Sequence, residues 1–338
     1  MIDVNVSISG ILMDCDESVC ALQLGNGYKI EKCNLDSLFF KNRITNGRGY
    51  LGTDYFGTQI KEGNETYFIC VTKDEVMQIE SPWIHEFSRF ETDEKELCKT
   101  RIKKYTEKEI DYLYEQIDLL RIFRPGNIGL KDVFFQYSFT VLDHVTNTIE
   151  HRSHNQARNT VAGGYFKLDK AEIVLCNRWM HNFSRIPYIL MKSCIDEFSW
   201  GLEQIDCING FKQYIKTLKM ILLRDEHIGE NLLLARRISL LLGNTESGVQ
   251  LIYQNTMDIL EYYAQSLSES KGATVLENIS ENYSKNVLES VLKNELHKLE
   301  NITREVVKNC LIRCKAEHAM NRSITWNEIK ERIINELA

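Results

Sequence analysis

Hydrophobic periodicity in the C-terminal half of the chain constrains the fold most strongly. Apolar residues of Phe211–Leu223 recur every three or four positions, which is the period of an amphipathic helix. The segment Leu232–Gly243 is apolar over most of its circumference and stops at a glycine, which predicts a left-handed helix C-cap. We therefore expect this second helix to be the buried centre of its domain, with Leu234 and Leu241 in the core.

Two further segments have the same period. One is Val249–Tyr263, which runs into the polar stretch Tyr262–Gly272, predicted to be a turn. The other is Asn286–Ala319, whose leucines, isoleucines and valines keep helical spacing. Antiparallel helices with short links are typical of a bundle, so an all-α domain is expected over residues 206–338.

The order of these helices and their amino-acid pattern resemble those of the HEPN superfamily, and within it those of the abortive-phage-escape (ApeA-type) HEPN domains. The resemblance rests on the leucine-rich segment Ala235–Gly243, the helix that precedes it, and an arginine after a leucine-rich run in the last helix, Leu299–Arg304. It implies a prokaryotic anti-phage defence or toxin-type protein whose bundle is a metal-independent endoribonuclease without a cofactor. In that family two Arg-x4-6-His motifs face each other across a dimer.

The chain departs from the family at the motif itself. A guanidinium binds phosphate bidentately, and an imidazole can transfer a proton near neutral pH. The corresponding positions here are Gln265 and Ser270, with Ser266 as the polar residue that often follows the arginine. Glutamine carries no charge, and serine does not act as an acid at neutral pH without help. The resemblance therefore implies either a weak or inactive ribonuclease or a non-catalytic module for dimerisation or partner binding.

The implied partners are an RNA substrate if the protein is active, a second copy that brings Gln265–Ser270 of both chains together, and a phage-derived trigger. The N-terminal part would sense that trigger or recruit a partner. A helical scaffold unrelated to HEPN domains is the remaining alternative.

Arg313 and His318 form a second Arg-x4-His match, inside the last long helix. The alternative interpretation is a solvated basic face with a histidine near the helix end. Cys310, Cys314 and His318 share one helical face, but a fourth metal ligand is missing, so core packing is favoured over a metal site.

The N-terminal part, residues 1–95, is predicted to be a β-rich domain. Short β-branched or alternating runs are separated by Asp, Gly and Asn residues. They are Val4–Gly10, Val19–Leu24, Gly27–Ile30 and Thr66–Val71, with a hairpin turn predicted at Leu24–Tyr28. The glycine-rich segment Gly47–Gly57 lacks the Lys-Ser/Thr ending of a phosphate loop and is interpreted as a surface loop.

Residues 96–125 are predicted to be a helical linker, because Glu107–Ile122 has a helical stripe that ends at Arg124–Gly126. A mixed α/β region is expected over 126–205, with strands at Asp132–Val141 and Ala171–Cys176. The predicted fold class is thus α+β: a β-rich N-terminal part, a mixed middle part and a C-terminal helical bundle. Histidines and arginines between these two strands could form a metal or phosphate site, or simply a polar loop; they are His144, His151, Arg152, His154 and Arg158.

Composition limits the function class. The chain has 338 residues, of which 43% are hydrophobic and 26% charged, which is typical of globular proteins. The net charge of −7 disfavours indiscriminate nucleic-acid coating. Ten cysteines without a Cys-x-x-Cys pair fit reduced thiols. No apolar run is long enough for a bilayer, and the N-terminus does not resemble a signal peptide, so a cytoplasmic location is expected.

Overall fold

The computed structural model describes residues 2–34, 59–62, 65–80, 90–141, 144–153, 164–204, 206–224, 229–272 and 281–338. These residues fall into two compact units. The first holds the β-strands, the following helix as far as Leu120 and a later helix as far as His181. The second holds Arg121–Pro125 and Asn182–Ala338.

The first unit is built on an antiparallel sheet. Its strands are β1 (Ile2–Met13), β2 (Lys29–Asn34), β3 (Gln59–Glu62), β4 (Glu65–Ile79), β5 (Gly129–Val141) and β6 (His144–Ser153). The strand order is β2-β4-β1-β5-β6, and β3 pairs with β4. Two strands of the region expected to be mixed α/β therefore belong to the same sheet as the N-terminal strands.

Strand β1 lies in the middle of the sheet because its alternating side chains fit a pleated, half-buried surface. Val4, Val6 and Ile8 are almost fully buried, with the more exposed Asn5 and Ser7 between them. Gly10 fits the close approach of β1 and β5, since a Cβ atom there would lie 2.7 Å from Cδ1 of Leu130 and the Leu130 side chain would have to shift. The predicted strands Val4–Gly10, Thr66–Val71 and Asp132–Val141 are confirmed as parts of β1, β4 and β5.

The predicted strand at Val19–Leu24 is wrong. Glu17–Ala21 forms a short 3-10 helix that Asp16 caps through a bond from the Ser18 amide. The turn that follows is real: Gly25, Asn26 and Gly27 all have positive φ, and the chain enters β2 directly afterwards. A capping aspartate before a β-branched run outweighs strand propensity here.

Helix α1 (Phe90–Phe123) packs its buried face against the sheet. Buried positions Cys98, Ile102, Thr106, Glu109 and Leu113 recur every three or four residues. Thr106 Oγ1 lies 2.6 Å from the Tyr137 hydroxyl on β5, which joins helix and sheet. The predicted helix at Glu107–Ile122 is confirmed but is longer, and it ends before Pro125 as expected.

Helix α2 (Lys170–Phe183) replaces the strand that was predicted at Ala171–Cys176. The amides of Ala171 and Glu172 donate to Asp169 Oδ1, and the Asp169 amide donates to Glu172 Oε2. This reciprocal capping box fixes a helix start in a segment whose Ile, Val and Leu side chains suggested a strand.

The second unit is a helical bundle. Its helices are α3 (Ile186–Leu202), α4 (Cys207–Leu222), α5 (Glu230–Leu242), α6 (Glu246–Gly272), α7 (Glu281–Met320) and α8 (Trp326–Glu336). Helices α3, α4 and α7 pack on one another, and buried aromatic rings fill the space between α3 and α4. The expected α+β class and the C-terminal helical bundle are confirmed.

Helix α5 is not the centre of the bundle. Leu234, Ala235 and Ile238 are buried and Leu241 is partly buried, whereas Leu232 and Leu240 are 54% and 41% exposed. The helix packs chiefly against α6. An apolar circumference therefore predicted more burial than the fold provides, because one side of α5 has no neighbour among the described residues.

Gly243 ends α5 for a reason other than the one predicted. Its φ of −82° lies in the extended region rather than the left-handed region. A Cβ atom there would lie 2.7 Å from the Ser239 carbonyl oxygen and 2.8 Å from Cα of Val249. The glycine therefore allows the close approach of α6.

Among the described residues, no helix is both long and apolar enough to cross a membrane.

Candidate functional site

The motif positions taken from the resemblance lie near the end of α6. Their backbone is helical, because α6 continues through Gly272, so the turn predicted at Tyr262–Gly272 is wrong. The side chains of Gln265, Ser266 and Ser270 lie outside the residues whose side chains the structure describes. Their role stays a prediction.

Arg304, the arginine that the resemblance places in the last long helix, belongs to the core. Its Nη2 contacts the Glu300 carboxylate, its Nη1 donates to Asn301 Oδ1 at 2.7 Å, and its Nε donates to the Arg121 carbonyl oxygen at 2.9 Å. The guanidinium carbon also lies 5.7 Å from the centre of the Phe198 ring. Only 2% of the Arg304 side chain is exposed, so this guanidinium is fully engaged inside the bundle.

The arginine of the second Arg-x4-His match is engaged by a carboxylate. Arg313 Nη1 forms an ion pair with Glu336 at the end of α8, and His318 is partly buried near the end of α7. Phosphate binding by Arg313 would have to displace Glu336. A catalytic role of this pair stays a prediction.

The cysteines on α7 are core residues, in agreement with the interpretation favoured from the sequence. Cys310 and Cys314 are completely buried. Burial raises the pKa of the Cys314 thiol to about 12 and that of Cys310 further. Within the described ranges, no group of three or more His, Cys, Asp or Glu side chains is placed to hold a metal ion.

The histidine and arginine positions of the middle region are partly visible. His144, His151 and Arg152 lie in β6, whereas His154 and Arg158 lie outside the described residues, as does Gly47–Gly57. His151 Nε2 lies 2.7 Å from Asp132 Oδ1, and its ring stacks on Phe134. Arg152 pairs with Glu150 on the same strand. His151 and Arg152 are thus bonded to sheet neighbours, whereas the His144 side chain lies outside the described residues.

A buried polar network lies between β4 and α1 in the first unit. Lys73 Nζ lies 3.0 Å from both Glu75 Oε2 and Glu109 Oε2. The Tyr28 hydroxyl donates to Glu109 Oε2 at 2.8 Å, and the Tyr105 hydroxyl donates to Glu75 Oε1. Burial, followed by the nearby carboxylates, raises the pKa values of both tyrosines well above the usual range. Both phenols therefore stay protonated donors that hold the carboxylates in place.

A pocket of about 400 Å³ lies beside this network, between the end of β4 and α1. The positive side chains Arg101, Lys104 and Lys108 line it from α1. The remaining lining residues come from β4 and its end or from the same helix face: Met77, Gln78, Ile79, Glu80 and Tyr105. Three cations against one carboxylate give the lining a positive balance.

The sequence reasoning missed this pocket, although part of the signal was present. Arg101, Lys104, Tyr105 and Lys108 have the i, i+3, i+4, i+7 spacing of one helix face. The sequence predicts a helical linker over residues 96–125, and the pattern does not indicate which strand end faces these side chains.

Comparison with protein-family models, curated proteins and solved structures finds no match for this chain.

Proposed function

We propose that this chain is a prokaryotic anti-phage defence or toxin-type protein whose C-terminal bundle is a HEPN-like module that has lost ribonuclease activity. The module acts by dimerisation or by binding a partner protein. The observation that carries this proposal is the state of the two arginines of α7, since Arg304 is paired with Glu300 and Arg313 with Glu336.

In the Arg-x4-6-His motif that the resemblance implies, the guanidinium has to be free to bind two phosphate oxygens as charge develops on them. Arg304 already donates hydrogen bonds from Nε and from both terminal nitrogens to protein acceptors inside the core. Binding phosphate would require breaking a buried ion pair, which leaves the Glu300 charge without its partner. The motif positions on α6 add no substitute, because glutamine and serine stand where arginine and histidine would be needed.

Apolar side chains on the surface of the bundle support a role in association. Leu232 and Leu240 on α5 lie eight residues apart, and Leu251 on α6 is 62% exposed. Clusters of exposed apolar residues are uncommon on ordinary protein surfaces and common at protein interfaces. A second copy of the chain is the simplest occupant, in keeping with the dimer that the resemblance implies.

Light scattering of the full chain tests this function. At micromolar concentration the measured mass should be that of a dimer. Leu240→Glu should shift the measured mass toward that of the monomer, because a charge would be buried in the interface. Gln250→Glu, which adds the same charge at an exposed position of α6, should leave the dimer intact. A strict monomer at all concentrations, together with cleavage of RNA in the presence of EDTA, would overturn the proposal.

A further inference from the structure

The cationic pocket of the first unit has the features of a ligand site, and the proposed function of the bundle makes no use of it. Arg101, Lys104 and Lys108 project from one face of α1 because they are spaced three, four and seven residues apart. All three side chains are exposed toward the pocket opening rather than folded into the core.

These three cations are unpaired within the part of the chain that the structure describes. Elsewhere on α1, Lys99 forms an ion pair with Glu96 one turn away, at 2.7 Å. Like charges three and four residues apart on a helix repel each other and lower its stability. A bound anion would remove that repulsion, so the arrangement favours a negatively charged ligand.

The floor of the pocket is held rigid by the buried network. Tyr105 lines the pocket, and its hydroxyl is fixed by Glu75, whose other oxygen is held by Lys73. Lys73 is in turn held by Glu109. Lys73 is shared by two carboxylates, and the Tyr105 hydroxyl is anchored by its bond to Glu75. A preorganised site of this kind loses little conformational entropy when a ligand binds.

The pocket also offers an uncharged wall. Met77 and Ile79 stand on the β4 side, and the ring of Tyr105 stands on the helix side. Gln78 and Glu80 add hydrogen-bonding groups that suit ligand hydroxyl or amino groups. A volume of about 400 Å³ lies in the range of small-molecule sites and is too small for a folded partner.

We propose that this pocket binds a small ligand that joins a phosphate group to a flat or apolar body, of the chemical class of a mononucleotide. Arg101, Lys104 and Lys108 bind the phosphate, and Met77, Ile79 and Tyr105 contact the body. The cations have the charge and donors for phosphate oxygens, and the wall supplies the apolar contact that phosphate alone would not use.

A single RNA strand fits these observations less well. Nucleic-acid grooves combine a long track of cations with successive stacking rings. Here the described cations converge on one pocket with one aromatic ring, in a chain whose net charge is −7. The ligand is therefore argued to be a single nucleotide-sized unit.

Titration calorimetry on the full chain tests the proposal with five probes: AMP, GMP, CMP, UMP and inorganic phosphate. At least one mononucleotide should bind, and more tightly than phosphate does. Arg101→Gln and Lys104→Gln should each weaken that binding by about tenfold or more, the range for a lost charge-assisted hydrogen bond. Lys103→Gln is the matched control, since it removes the same charge from an exposed position of α1 that does not line the pocket.

Three results would overturn the proposal. One is the absence of binding by every mononucleotide up to millimolar concentration. Another is binding that Lys103→Gln weakens as much as Lys104→Gln does, which would indicate attraction to the general charge of α1. The third is a short single-stranded RNA that binds through Arg101 and Lys104 far more tightly than any mononucleotide. Thermal unfolding of each variant checks that a loss of binding is not a loss of fold.

Discussion

Lys73 Nζ lies 3.0 Å from Glu109 Oε2, and only 3% and 2% of the two side chains are exposed. Glu109 also accepts bonds from the Tyr28 hydroxyl and from Asn26 Nδ2. Breaking a buried pair leaves one charge uncompensated, which costs more than replacing both partners. The pair therefore makes the packing of α1 on β4 sensitive to single substitutions.

We expect Lys73→Met to lower the free energy of unfolding by about 3–5 kcal/mol, because the Glu109 carboxylate would stay buried without its cation. Lys73→Met combined with Glu109→Leu should recover part of this loss, since the deeply buried carboxylate is then removed and the remaining Glu75 side chain is 34% exposed. Urea denaturation of the single and double variants measures both values. A double variant less stable than either single variant would show that the network is needed for more than charge compensation.

The same reasoning applies to Arg304, where it distinguishes a structural arginine from one that binds RNA. Arg304→Met should lower the free energy of unfolding by about 3–5 kcal/mol, because Glu300 is 1% exposed and would lose its partner. Arg313→Met, at a partly exposed pair with Glu336, should cost at most about 1 kcal/mol. Denaturation curves of equal midpoint for wild type and Arg304→Met would contradict the structural role.

Leucines on opposite sides of α5 give a paired test of the packing. Leu234 is completely buried, so Leu234→Ala should cost about 2–5 kcal/mol. Leu232 is more than half exposed, and Leu232→Ala should change stability by less than about 0.5 kcal/mol. Chemical denaturation of both variants at a protein concentration where the wild type is monomeric removes any contribution from dimer formation. Equal losses at the two positions would show that α5 is buried on both sides.

Cysteine reactivity should follow burial and pKa. A hydrogen bond with Cys70 lowers the pKa of the partly exposed Cys33 thiol, whereas burial raises the pKa values of Cys310 and Cys314. Since the thiolate is the reactive form, iodoacetamide near neutral pH should label Cys33 well before Cys310 and Cys314. Mass spectrometry of timed digests gives the order. Early labelling of Cys310 in the folded protein would contradict the packing of α7.

Much of the fold follows from local pattern. The strands around Val6 and Phe135 and the helices around Leu218 and Val306 have periodicities that one face of a sheet or helix requires, and the structure contains them. The misses have local causes. At Glu17–Ala21 and Lys170–Phe183 a capping carboxylate decided the structure against β-branched side chains.

Burial and sites depend on long-range contacts that periodicity does not report. The circumference of α5 is apolar, yet Leu240 is exposed because burial depends on which neighbours the fold supplies. The sequence places Arg304 after a leucine-rich run of the last long helix, and only its contacts with Glu300 and the distant Arg121 carbonyl identify it as a core residue. The pocket joins Lys104 to Met77, and this contact between a helix and a strand end was not visible in either segment alone.

The most direct test of the account is cleavage of a fluorescent mixed-sequence RNA by the full chain in EDTA, followed over time on a denaturing gel. The wild type should leave the RNA intact, since Arg304 and Arg313 are paired and the motif positions are Gln265 and Ser270. The double change Gln265→Arg with Ser270→His should create cleavage, because it restores a phosphate-binding guanidinium and a proton-transferring imidazole. General acid–base catalysis is worth about 10²–10⁴-fold, so the gain should be plain. Rapid cleavage by the wild type that disappears in Arg313→Ala with His318→Ala would contradict the account.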